Sequence, residues 1–128
     1  MKLEYFTDAL AGRGLLLLYG DSSREARELC EALRPLVAAR VRVSLDALVF
    51  VEPVDSCQLT AESVAESRGV SCSPSSPRFR WSLSPSEWED TAGMLEPFCH
   101  ATTAGTVHFQ HLNPHGGPAV IYSTSRAW

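Results

Sequence analysis

Leu15-Leu16-Leu17-Leu18-Tyr19-Gly20-Asp21-Ser22-Ser23-Arg24-Glu25 reads as a buried strand running straight into a capped helix. A continuous apolar run from Leu15 to Tyr19 suits a strand covered on both faces. Gly20 and Asp21 break the run. Ser22-Ser23-Arg24-Glu25 then has the spacing of a capping box: the Ser22 hydroxyl accepts from the Glu25 N–H while the Glu25 carboxylate reaches back to the Ser22 N–H. Ala26, Leu29, Cys30 and Leu33 follow at helical spacing and give this helix one apolar face. Pro35 disfavours helical geometry at Arg34 and predicts an end or a kink there, with a last turn as far as Ala39.

Upstream, Leu3 and Tyr5 alternate with Lys2, Glu4 and Phe6, and Ala11-Gly12-Arg13-Gly14 is a turn signal, so a hairpin from residues 2–8 to 14–20 is expected. Downstream, Val41, Val43 and Leu45 alternate with Arg40, Arg42 and Ser44, and Cys57, Leu59 and Ala61 alternate with Gln58, Thr60 and Glu62. Residues 63–77 carry six serines and two prolines and read as a mobile loop, or a poor hairpin turning at Arg68-Gly69. Phe79, Trp81 and Leu83 alternate with Arg78, Arg80 and Ser82 in a clear strand.

That strand feeds a second capping box, Ser84-Pro85-Ser86-Glu87, with Pro85 at the first helical position. Trp88, Thr91, Ala92, Leu95 and Phe98 form the second helical stripe, in which Gly93 suggests close packing on a sheet. Val107, Phe109 and His111 alternate with His108 and Gln110. Asn113-Pro114-His115-Gly116-Gly117-Pro118 is a dense turn signal before a closing strand over residues 119–124.

The element order is therefore β-β-α-β-β-(β)-β-α-β-β, which has the look of two related halves without a residue-level repeat. The expected fold is one α+β domain over residues 1–128: a single mostly antiparallel sheet of about six to eight strands with two helices on one face.

Composition narrows the function classes. The 128 residues are 45% hydrophobic and 20% charged, ordinary values for a globular chain. A net charge of −4 argues against a general nucleic-acid binder. The N-terminal residues lack the pattern of a signal peptide, and no apolar run approaches membrane-spanning length, so a cytoplasmic location without membrane association is expected. The four cysteines, Cys30, Cys57, Cys72 and Cys99, show no Cys-x-x-Cys spacing and are expected to be reduced thiols. Cys30 and Cys99 read as core. Any reactive thiol is best placed at Cys57 or Cys72.

Three groups of residues bear on chemistry. Gly20-Asp21-Ser22, between an apolar strand and a helix, resembles the nucleophile block of SGNH-type esterases and lipases. That resemblance implies Ser22 as nucleophile and His115 or His111 as base. No Asp lies three residues before a late histidine, and the family's Gly-x-Asn-Asp block is absent. The second group is His108, His111 and His115, imidazoles close enough in sequence to be candidates for a metal site, although His108 and His111 would point to opposite faces of a strand. The third is Arg40, Arg42, Arg78 and Arg80, which point away from the apolar sides of their strands. If those strands lie close together, they form a positive patch on the sheet face opposite the helices, fit for a phosphate or an acidic partner surface, or paired across strands with Glu62 and other acids. Exposed Trp128, Tyr122 or Phe6 would add aromatic contact area.

The reading is a non-enzymatic binding protein, with no cofactor, that acts through a protein–protein interface. It would be an inhibitor or immunity-type partner, an assembly partner, or a self-associating chain. The alternatives are a small hydrolase using Ser22 or a histidine-bound metal, and a small-ligand or nucleotide sensor.

Overall fold

The fold comes from a computed structural model, which describes residues 1–38, 41–72, 77–100 and 108–128. In chain order the strands are β1 (Lys2–Leu10), β2 (Arg13–Tyr19), β3 (Arg42–Ser44), β4 (Glu52–Pro53), β5 (Gln58–Ser63), β6 (Gly69–Cys72), β7 (Arg78–Leu83), β8 (Phe109–His111) and β9 (Ala119–Ser123). Helix α1 (Ser23–Ala38) follows β2, and α2 (Pro85–Leu95) follows β7.

The expected hairpin forms: β1 and β2 pair antiparallel, with Leu3 opposite Leu18 and Tyr5 opposite Leu16. The apolar run in β2 is buried on both faces. Leu16 and Leu18 enter the main core, while Leu15 and Leu17 join Ala119 and Ile121 in a smaller cluster on the other side. That outer cluster is flanked by Phe6 and Tyr19, and the last residues fold back against the same face. There the Arg126 guanidinium donates to both Glu4 carboxylate oxygens, at 3.1 and 2.8 Å, and lies over the Phe6 ring, on which Trp128 packs. Both helices are N-capped as the sequence predicts, by Ser22 accepting from the Glu25 N–H at 3.2 Å and by Ser84 accepting from the Glu87 N–H at 3.4 Å.

The reciprocal half of each capping box is not made. Glu25 instead takes the Met1 amino group at 2.7 Å, and Glu87 takes His115 at 2.6 Å. A partner from a distant segment takes the place of the local backbone N–H at each carboxylate. Pro35 neither ends nor breaks α1, which runs on to Ala38 because Leu33 and Leu36, on either side of it, are both buried. Gly93 is exposed, and nothing lies within 4 Å of where its Cβ would be, so it marks no close packing.

The single mostly antiparallel sheet is replaced by two mixed sheets. One has five strands in the order β4-β1-β2-β9-β8, the other four in the order β3-β5-β7-β6. Three pairings are parallel: β1 with β4, β2 with β9 and β5 with β7. Each helix carries the chain from the sheet it leaves into the other one, and each parallel pair is joined by a long connection rather than a tight turn.

The two halves expected from the element order are visible as topology. β1-β2-α1-β3-β5 and β6-β7-α2-β8-β9 repeat the same pairings with the sheets exchanged: an antiparallel hairpin, a helix, then two strands added to the other half's hairpin. The 63–77 hairpin with its turn at Arg68-Gly69 does not form, because β6 pairs with β7 rather than β5. Residues 73–76, near the end of the expected mobile segment, lie outside the described residues.

The inner faces of both sheets and the buried stripes of both helices meet in one core. Trp81 of β7 and Trp88 of α2 pack edge to face with centroids 4.7 Å apart, and Tyr5 of β1 meets Phe79 of β7 at 4.5 Å. The Trp88 indole N–H donates to the Glu62 carbonyl oxygen at 2.9 Å, tying α2 to the back of β5. Among the described residues, no helix is long and apolar enough to cross a membrane.

Candidate functional site

Period-two alternation in the four-stranded sheet puts its apolar residues inward and a wholly polar set outward. Parallel pairing sets Gln58 beside Arg78, Thr60 beside Arg80 and Glu62 beside Ser82. Antiparallel pairing sets Arg42 beside Glu62, and Ser71 beside Arg80. Arg42, Arg78 and Arg80 therefore share one face, on the side away from the core. Arg40, expected with them, lies outside the described residues.

Glu62 is the centre of this face. Glu62 is only 7% exposed although its side chain points away from the core, because neighbouring side chains close over it. The Ser82 hydroxyl donates to one carboxylate oxygen at 2.7 Å. The Arg42 Nε lies 3.2 Å from the other, and the Arg80 Nε lies 3.8 Å from the first. Both arginines are more than half exposed, so each ion pair adds little stability. The effect is positional: one buried carboxylate anchors the Nε of two guanidinium groups and leaves their outer N–H donors facing solvent.

Arg78 has no carboxylate within ion-pair distance among the described residues. With Gln58, Thr60, Ser71, Phe79 and Arg80 it lines a depression of about 500 Å³. Guanidinium, amide and hydroxyl donors around an open hollow suit bidentate capture of carboxylate or other anionic oxygens. The alternation that placed the arginines also placed Gln58 and Thr60 here. Ser71 was missed because β6 read as loop.

The remaining candidates are separated. Ser22 is the cap of α1, whereas the His115 ring bonds Glu87 at the first turn of α2, so the esterase pair sits at the starts of two different helices. Burial acts to raise the Glu87 pKa, but hydrogen bonds from His115 and Ser67 outweigh it and hold the carboxyl below the usual range. His108 is held through its backbone N–H by the Thr124 hydroxyl at 3.0 Å, and the His111 ring packs against Phe109. Phe109 and His111 were expected on the apolar side of their strand. They lie on the outer side, and it is Gln110 that reaches Met94 of α2. Among the described residues, no three His, Cys, Asp or Glu side chains gather as a metal site.

Cys57 is 2% exposed, and burial with nearby Asp46 pushes its thiol up to about 12, the opposite of an activated nucleophile. Of the aromatic anchors, Tyr122 is buried against Phe98 and only Trp128 is substantially exposed. Comparison with protein-family models, curated proteins and solved structures finds no match to this chain.

Proposed function

We propose that this chain is a non-enzymatic binding protein that docks an acidic segment of a partner protein on the outer face of its four-stranded sheet. The observation that supports this is the arginine face itself. Arg42 and Arg80 flank one buried carboxylate, and Arg78 lies on the same sheet face away from the core, on a chain whose net charge is −4. A local positive field on an acidic protein orients an acidic partner and repels basic ones. Arginine also supplies the planar forks that dominate many interfaces. Ser22 serves as a helix cap rather than meeting a base, and that placement favours binding over hydrolysis.

The test uses a short fluorescent acidic peptide, a basic peptide of equal length, and the R42S/R78S/R80S variant. Binding of the acidic peptide that weakens by about tenfold or more in the variant, and falls with added salt, supports the reading. Equal affinity of wild type and variant, or equal binding of both peptides, refutes it.

A further inference from the structure

Cys30 and Cys99 are 69 residues apart in sequence, yet their Sγ atoms are 3.6 Å apart, in contact and within reach of a shared hydrogen bond. Cys30 lies on α1, and Cys99 ends the 3-10 turn Glu96–Cys99 that follows α2. That turn packs against α1 and is seated by Phe98, whose ring meets Tyr122 edge to face at 4.8 Å. Cys99 is buried, while Cys30 is only partly so, which makes Cys30 the more accessible residue of the pair.

We propose that Cys30 and Cys99 form a disulfide site, a reversible cross-link that fastens the helix of the first half of the chain to the second. The oxidant is a small-molecule disulfide of the glutathione class. Cys30, as thiolate, attacks one sulfur of the oxidant, whose S–S bond breaks and releases one thiol. Cys99, having given its proton to water, attacks the Cys30 sulfur of the mixed disulfide and expels the second thiol. One protein S–S bond forms, two electrons pass to the oxidant, and the two protons end on the two released thiols.

The surroundings set the rate. Burial, the Cys99 thiol beside it and the acids Glu96 and Glu31 push Cys30 up to about 12, and Tyr122 is a further titratable neighbour among the described residues. The dithiol is therefore slow to react near neutral pH, and its oxidation accelerates by about tenfold per pH unit as the thiolate fraction grows. The pair responds to sustained oxidising conditions rather than to brief exposure.

The test equilibrates the folded wild-type protein in buffers from reduced to oxidised glutathione, blocks free thiols by alkylation and maps the disulfide peptides. The expected result is a Cys30–Cys99 peptide that appears with oxidation, disappears on reduction, and raises Tm by roughly 10 °C. In C99S the same treatment leaves a glutathione adduct on Cys30. Glutathione adducts without the cross-link in the wild type, a Cys57–Cys72 bond in its place, or a cross-link that lowers Tm would each overturn the proposal. The wild-type map decides even if C99S fails to fold.

Discussion

Replacing Gly69 with alanine tests how the two sheets are fitted together. Gly69 opens β6 with φ of +78°, and the loop over residues 113–118 rests on it. A Cβ at this position would lie 2.7 Å from the His115 Cβ and 2.9 Å from the Gly116 carbonyl oxygen. The second contact is with backbone, so it cannot be relieved by turning a side chain. Alanine in left-handed backbone costs about 1–2 kcal/mol, and overpacking adds about 1–3 kcal/mol. The sum, about 2–5 kcal/mol, is a large part of the roughly 5–15 kcal/mol that stabilises an ordinary domain. Gly12 supplies the control: its φ is +83°, but nothing lies within 4 Å of its Cβ position, so Gly12→Ala carries the backbone cost alone. Gly93→Ala, in α2 with open space around it, removes helix-interior glycine and stabilises by up to about 1 kcal/mol. Urea unfolding of the three variants, with shared slopes, places the midpoints in the order Gly93→Ala, wild type, Gly12→Ala, Gly69→Ala. Equal midpoints for Gly12→Ala and Gly69→Ala would mean that the loop does not press on β6, and the account of the seam would fail.

Two further outcomes follow from named charges. The Arg126 hydrogen bond, with help from Tyr19, holds the Glu4 carboxyl below its ordinary 4.5 against the opposing effect of burial. A depressed carboxylate stabilises the fold above its unfolded pKa and loses that contribution as pH falls through the lower folded value. The wild type is therefore more stable than Arg126→Ala near neutral pH, and their melting temperatures converge below about pH 4; parallel curves would rule out the linkage. Glu62→Gln keeps an acceptor for the Ser82 hydroxyl but removes the one negative charge on the arginine face. With the anchor of both Nε groups gone, it is expected to weaken acidic-peptide binding by about two- to fivefold, as read by anisotropy, and an unchanged or tighter affinity contradicts the positional role of Glu62.

Local chemistry made the elements readable. Both N-caps, the β1–β2 hairpin and the inward alternation at Leu59, Ala61, Phe79 and Trp81 follow from residue spacing alone, and that alternation is what put Arg42, Arg78 and Arg80 on one surface. The sheet assignment was not readable, because α1 and α2 each deliver the chain to the opposite sheet and no short pattern records which sheet a strand joins. The double burial of Leu15–Leu18 was a real hint of parallel neighbours, and Val120 and Ile121 proved to be those neighbours. β6 was obscured by the serines around it: with only Val70 and Gly69 buried, four residues carry too little periodicity to stand out from a loop. The partners of Glu25 and Glu87 were likewise invisible, since Met1 and His115 come close only once the whole chain has folded.

The exchange of strands between the halves has a kinetic meaning. The four-stranded sheet draws all its strands from residues 42–83, so it can assemble from a continuous stretch of chain. Apart from the short strand β4, the five-stranded sheet is stitched from the two ends: Leu15 has no parallel partner until Ala119 has been synthesised and brought back across the molecule. Closing so long a loop is the slow kind of contact in folding. During synthesis, the surface that carries the arginines can take shape first, while the leucine-rich strand β2 waits half paired, its apolar faces exposed to whatever it meets, for the last strand to arrive.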